Sequence, residues 1–185
     1  GSINKIVKKQ KKINFLHSNI IAVGRLTPQK DYFTLLDAIK NLKNKNFNLK
    51  IYGDGELKNK LMRYVENNNL SNHVKILGHE NKSTKIFQNA NLLVHTAIFE
   101  GLPNVIVEAM SYGIPIIASD SYGGTKEILN SGKFGGLFKT GDSKQLSKML
   151  EEFFMNPNKF YKKVSKSKSF LNKFTQKNSS KSLEK

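Results

Sequence analysis

Two carboxylates eight positions apart bracket a short turn and the start of a predicted helix near the middle of the chain. Glu100 lies in the turn, and Glu108 follows Pro103 and the apolar residues 105–107. Proline suits a first helical turn, where its missing N–H is no loss, so Glu108 is expected about one turn into the helix. Because helical side chains lean towards the N-terminus, both acids can face one ligand.

The ligand class follows from what a carboxylate in an apolar run requires. If Glu108 is buried, it needs a hydrogen-bonding group, and the hydroxyls of a sugar ring or a ribose supply one. The plainer alternative is that Glu108 lies on the polar edge of an amphipathic helix, in contact with solvent. Residue types alone leave both alternatives open.

Two cations follow the first apolar run of the chain, which is predicted to be a buried strand ending at Gly24. A helix is predicted to begin near Asp31, and Arg25 and Lys30 lie between the two elements. A guanidinium offers a planar fork of donors to phosphate oxygens, a lysine offers a point charge, and a helix N-terminus adds free amides. The chain has only one other arginine, Arg63, which favours a specific role for Arg25 over that of a solvated surface cation.

The block from Glu100 to Leu129 resembles the donor-binding signature of retaining family-4 glycosyltransferases. In that signature Glu-x7-Glu is followed by Gly-x-Pro, here residues 113–115, and by Gly-Gly-x-x-Glu, which begins here at Gly123. The resemblance is greatest to members with Glu-Gly-Leu-Pro-Asn-Val, which add sugars to lipid-linked or surface polysaccharide precursors. It implies a two-domain GT-B enzyme of which this chain is the donor-binding half, with an N-terminal acceptor-binding domain as its partner.

The resemblance also implies a role for individual residues. Arg25 and Lys30 would hold the diphosphate of a nucleotide sugar, Glu100 the sugar hydroxyls and Glu108 the ribose, and the catalytic residues would be Arg25, Lys30 and Glu100. Free amides at the start of the helix would support the departing diphosphate. The expected donor-binding residues are Gly24, Arg25, Lys30, Gly53, Gly78, Glu100, Gly101, Leu102, Asn104, Val105 and Glu108. Gly53 is named only as a liner of the donor cleft, and for Asp54 and Glu56 beside it a tight turn between strand and helix is the preferred alternative.

No Asp-x-Asp pair or other acidic cluster stands out in the sequence, so no metal and no cofactor are expected beyond the donor itself. Transfer with retention follows from the family resemblance, and uridine is the expected base. Two rival functions stay open. The first is a GT-B nucleotide-sugar epimerase or phosphorylase, which would convert the donor without an acceptor. The second is a non-catalytic basic module that binds anions in a salt-dependent way.

Apolar runs alternate with helical patterns along the chain, which predicts an α/β, Rossmann-like fold with a parallel six-stranded sheet flanked by helices. The predicted strands are 19–24, 47–52, 73–77, 91–95, 115–119 and 135–138. The predicted helices are 31–43, 55–68, 82–90, 103–112, 125–130 and 142–154. The expected organisation is a basic segment 1–17, a nucleotide-sugar-binding domain 18–155, and basic C-terminal helices 156–185, with a loop at 165–169 and a last helix at 174–185.

Composition bounds the remaining possibilities. With 185 residues and 38% hydrophobic content the chain can bury one ordinary core, and without cysteine it has no disulfide or thiolate chemistry. The net charge of +17 is concentrated at the ends, since residues 1–12 hold five Lys and no acid, and residues 155–185 hold nine Lys and one Glu. These ends reflect either general lysine richness or attraction to an anionic membrane surface.

Nucleic acid is not expected as a partner, because the basic ends lack the regular aromatic residues and the arginines of a single-strand binding platform. No apolar run of about 18 residues indicates a membrane-spanning helix. The expected location is the cytoplasm, with the inner face of the membrane as a candidate peripheral site.

Overall fold

The computed structural model describes residues 17–172, so the predicted helix at 174–185 and most of the basic segment 1–17 lie outside the described residues. The fold is a six-stranded, fully parallel sheet in the order β3-β2-β1-β4-β6-β8, beside a two-stranded parallel ribbon of β5 and β7. The strands are β1 Ser18–Val23, β2 Phe47–Tyr52, β3 Val74–Leu77, β4 Leu92–His95, β5 Phe99–Glu100, β6 Ile116–Ser119, β7 Tyr122–Gly123 and β8 Gly136–Phe138. The predicted Rossmann-like sheet and all six of its strands are confirmed.

Helices connect the strands and cover both faces of the sheet. They are α1 Tyr32–Lys40, α2 Lys58–Asn67, α3 Ser83–Phe87, α4 Asn104–Ser111, α5 Thr125–Ile128, α6 Ser143–Met155 and α7 Pro157–Ser165. Most are shorter than predicted, because turns and caps replace their outer residues. Pro103, for instance, is the N-cap residue of α4 rather than part of its first turn. The predicted loop at 165–169 is wrong in extent, since only residues 166–167 separate α7 from helical residues 168–172.

The central strands are buried on both faces, as expected of a parallel sheet between two helical layers. In β1, Ile20 and Ala22 join the core cluster under α1, α2 and α6, whereas Ile21 joins the cluster under α3, α4 and α5. This alternation follows from the two-residue period of a strand. Helix α7 reaches both clusters through Phe160 and Val164, each about 3% exposed.

The ladder between β1 and β4 is the shortest in the middle of the sheet. It registers Ile20 with Leu92 and Ile21 with Leu93 and stops two residues before either strand ends. The strand order also reverses at this pair, which is where open α/β sheets form their ligand crevices. The fold therefore places a cleft between the carboxyl ends of β1 and β4.

Candidate functional site

A single 3₁₀ turn, Pro28–Lys30, carries Lys30 into the cleft after β1. The turn leads into Asp31, which has a left-handed backbone conformation (φ 47°). The Asp31 side chain caps α1 by accepting a hydrogen bond from the Thr34 amide at 3.3 Å. Two hydrogen bonds involving Gln29 tie the turn to the segment after β4: its side-chain amide donates to Phe99 O at 3.0 Å, and its carbonyl accepts from Ile98 N at 2.8 Å. The position of Lys30 is thus fixed by both halves of the sheet.

Glu100 is held by the β5–β7 ribbon on the opposite side of the cleft. The Gly124 amide donates to Glu100 O at 2.8 Å, and a Cβ on Gly123 would lie only 2.1 Å from the same oxygen. Gly123 also has a left-handed φ of 112°, which strongly favours glycine. The glycine pair of the sequence motif therefore allows the close backbone approach that positions the Glu100 carboxylate.

Three side chains meet in the cleft. Lys30 Nζ forms an ion pair with Glu100 Oε2, and His95 Nε2 lies 3.5 Å from the same oxygen. The neighbouring His95 imidazole and the Lys30 ammonium lower the pKa of Glu100 to about 2, against the opposite effect of partial burial. Glu100 also contributes, after burial, to a raised pKa of the Tyr32 hydroxyl, which donates to Gly24 O at 3.0 Å. The opposite charges of Lys30 and Glu100 thus face each other in the cleft.

The lowered pKa of Glu100 gives a testable pH dependence. The ionised carboxylate is favoured by folding, so its contribution to stability is complete above about pH 4.5 and is lost as the pH falls towards 2. We expect the difference in unfolding free energy between wild type and Glu100→Gln, from urea denaturation, to shrink below pH 4.5. Glu66→Gln, at an exposed position of α2, controls for the substitution itself. A difference that does not change with pH would contradict the assignment.

The other predicted cation, Arg25, is exposed and has no ion-pair partner within residues 17–172. It directly follows Gly24, whose φ of 153° favours glycine. On the neighbouring strand end, a Cβ on Gly53 would lie 1.9 Å from Gly24 O. This close approach of the two chain segments requires glycine at position 53. The role of Gly53 in lining the donor site stays a prediction. Gly78 is exposed, and its carbonyl accepts from the Gly53 amide at 3.3 Å.

Glu108 lies about one turn into α4, as predicted, but its side chain is exposed and has no partner in the described part of the chain. Burial therefore imposes no need for a ligand at this position. The carboxylate of Glu100 instead contacts Lys30 and His95, so the structure does not bring the two acids onto one shared partner.

The backbone around the start of α4 differs in one respect from expectation. The Asn104 amide is not free, because it donates to Leu102 O at 2.9 Å. The Val105 amide has no hydrogen-bond partner among the described residues, so it remains the candidate anion donor. Gly101 and Leu102 are both exposed beside it.

Sequence reasoning missed His95 and Gln29. His95 is the last residue of the buried run Leu92–His95, and a polar residue closing an apolar strand at the ligand edge is a signal that would have identified it. Gln29 gave no signal, because a glutamine in a turn is ordinarily solvated.

Among the described residues, no three His, Asp or Glu side chains group as metal ligands. Within the same part of the chain, no helix has the length and apolar character to cross a membrane.

Comparisons with known proteins give the family of this chain. The profile described as glycosyl transferases group 1 matches residues 4–169. An uncharacterized glycosyltransferase of Methanocaldococcus jannaschii is 40% identical over 129 residues, which make up 68% of this chain and 32% of the relative. The UDP-Gal:α-D-GlcNAc-diphosphoundecaprenol α-1,3-galactosyltransferase of Escherichia coli is 32% identical over 136 residues, 70% of this chain and 35% of the relative.

The structural comparison agrees on the fold. The crystal structure of Anabaena HepE in complex with UDP-glucose matches with a TM-score of 0.78 at 24% identity, over 85% of this chain and 44% of that protein. The chain thus spans about a third of the length of the two curated relatives and less than half of the solved structure. Because the family profile covers most of its length, this chain belongs to the group 1 glycosyltransferases.

Proposed function

We propose that this chain is the donor-binding half of a retaining glycosyltransferase that transfers a sugar from a uridine diphosphate sugar to a glycan or lipid-linked acceptor. The observation that carries the proposal is the meeting of Lys30 and Glu100 across the cleft between β1 and β4. Lys30 offers a cation to phosphate oxygens, and Glu100 offers an acceptor to sugar hydroxyls. A nucleotide sugar presents both groups side by side.

The chemical task in such a transfer is to stabilise the negative charge of the departing diphosphate. Lys30 lies in the cleft, and among the described residues neither the Arg25 guanidinium after β1 nor the Val105 amide at the start of α4 has a partner. Fixed positive groups of this kind stabilise developing charge without reorganisation during the reaction. We therefore propose that transfer needs no metal ion, and that Glu108 on α4 binds the ribose.

The acceptor and the remaining protein are also proposals. Because the curated relatives are two to three times as long as the matched region, we propose an N-terminal acceptor-binding domain as the partner that closes the cleft. The E. coli relative is named for a diphosphoundecaprenol acceptor, which supports a lipid-linked or surface polysaccharide precursor for this chain. The enzyme would then act in the cytoplasm at the inner face of the membrane, with its basic ends attracted to anionic lipid.

The proposal is tested by titrating the ¹⁵N-labelled chain with UDP, GDP and ADP at low and high salt. We expect selective, saturable shifts with UDP, and we expect Arg25→Ala and Glu108→Ala each to weaken binding by about tenfold, the effect of losing a hydrogen bond to a charged group. Arg63→Ala, at an exposed position on α2, is the matched control and should leave binding unchanged.

Two outcomes would argue against the proposal. Equal affinity of both variants and wild type would remove the site assignment. Binding of nucleic acid or anionic vesicles in place of nucleotides, with a steep dependence on salt, would favour the basic-module alternative.

A further inference from the structure

The ion pair in the cleft creates a problem that the proposed function has to solve. An incoming diphosphate competes with Glu100 for the Lys30 ammonium, and sharing its three N–H donors between two anions weakens the contact with Glu100. When Lys30 turns to the phosphate, Glu100 loses its closest partner at the moment when its orientation matters for the sugar. Another group must then hold the carboxylate.

Within residues 17–172, His95 is the only other side chain with a polar atom within 4 Å of that oxygen. Its ring is 4% exposed, and Nε2 lies 3.5 Å from Glu100 Oε2 with no hydrogen-bond partner in the described part of the chain. A buried nitrogen without a partner is uncommon and costly, so its presence calls for an explanation. A movement of less than about 1 Å would bring the pair within ordinary hydrogen-bond range.

The other polar groups around the imidazole are already engaged. The Tyr32 hydroxyl, from α1, donates to Gly24 O, and the Thr96 hydroxyl donates to Lys30 O at 2.8 Å. The ionisable groups that face or line the recess around His95 are Glu100 from β5, Lys30 from the 3₁₀ turn and Tyr32 from α1. Among residues 17–172, Glu100 is the one anionic acceptor that lies within 4 Å of Nε2.

We infer that His95 is a positioning residue, which takes over the Glu100 carboxylate when Lys30 engages the diphosphate; this rests on the proposed function. The exchange keeps Oε2 of Glu100 occupied and leaves Oε1 for the hydroxyls of the sugar. The Lys30–Glu100 ion pair can thereby open while the partly buried Glu100 carboxylate keeps a hydrogen-bond donor.

A double-mutant cycle in the ligand-free chain tests this directly. Lys30→Met represents the state in which the ammonium has left, and the ¹³C signal of the Glu100 carboxyl is followed against pH. In Lys30→Met we expect the pKa of Glu100 to stay below 4.5 because His95 holds the carboxylate. In Lys30→Met/His95→Leu we expect it to rise by at least about one unit, a tenfold change in proton affinity. Equal titrations of these two variants would overturn the inference.

Further variants separate positioning from a merely structural effect. His95→Gln keeps a donor N–H and should restore the low pKa of Glu100 in the Lys30→Met background. His95→Asn is too short to reach Oε2 and should behave as leucine does, which keeps the test decisive if the leucine variant does not fold. His79→Leu removes an exposed histidine from the same edge of the sheet and should change nothing.

The same titration in saturating UDP separates this inference from the proposed function. We expect Glu100 to keep a low pKa in wild type with UDP and to lose it in His95→Leu with UDP. If wild type does not respond to UDP at all, the proposed function fails, while the ligand-free cycle still decides whether His95 holds Glu100.

Discussion

Gly53→Ala is expected to lower the free energy of unfolding by about 3–5 kcal/mol, from overpacking of about 1–3 kcal/mol and a comparable backbone strain. The new Cβ would lie 1.9 Å from Gly24 O and 2.9 Å from Gly24 C, and neither atom can move without shifting the end of β1. The φ of Gly53, 152°, is also one that L-residues rarely adopt. Since domains are stable by only about 5–15 kcal/mol, a large part of the stability is at stake.

Gly78→Ala is the matched control, since Gly78 also follows a strand of the sheet but an added Cβ there meets nothing within 4 Å. Urea denaturation followed by far-UV circular dichroism compares the two variants with wild type. We expect Gly78→Ala to unfold within about 1 kcal/mol of wild type, because it adds neither a clash nor a left-handed strain. Similar losses in both variants would show that the contact with Gly24 is not what limits substitution.

Lys30→Met is expected to weaken UDP binding by about 10–100-fold, the effect of losing about 1.5–3 kcal/mol from a charge-assisted hydrogen bond. The side chain is only 16% exposed, so water replaces the lost contact poorly. Glu100→Gln should act in the opposite direction and tighten UDP binding by at least about fivefold, because it frees Lys30 from an ion pair that is more buried than the exposed pairs worth about 1 kcal/mol. Isothermal titration calorimetry of UDP binding to wild type and both variants measures these opposite changes in affinity.

Lys126→Met is the control for Lys30→Met, because Lys126 on α5 also pairs with an acid at 3.3 Å. That acid, Asp120, follows β6, the neighbour of β4 in the sheet. It should bind UDP as wild type does. If Lys126→Met and Lys30→Met weaken binding equally, general charge rather than the cleft would account for the affinity.

The fold was predictable because its central strands are apolar on both faces and are separated by helical patterns of ordinary length. The alternation of Ile20 and Ile21 between the two cores needs only the period of a strand. The ribbon of β5 and β7 was not predicted, since two-residue strands leave no periodicity to detect. Its glycines were noticed as a motif, but the backbone approach that requires them depends on contacts distant in sequence.

The candidate site was predictable in its charged residues and less so in their partners. Lys30 and Glu100 follow strands β1 and β4, and the carboxyl ends of parallel strands meet at the same edge of a sheet. Their pairing with each other depends on side-chain directions that no sequence pattern specifies, and the same holds for His95. The Asn104 amide was expected to be free because helix starts usually leave amides unpaired, but the local turn uses it.

The short ladder between β1 and β4 divides the sheet into two three-stranded halves that share only two registered residue pairs. Lys30 follows β1 in one half and Glu100 follows β4 in the other, so their ion pair crosses this seam beside the hydrogen bonds of Gln29 and Thr96. A diphosphate that binds Lys30 would replace this ion pair with contacts of its own to both halves of the sheet. Amide hydrogen exchange at Val23, which faces β4 just beyond the last registered pair, should consequently report the occupancy of the cleft, with slower exchange when nucleotide spans the seam and faster exchange in Lys30→Met.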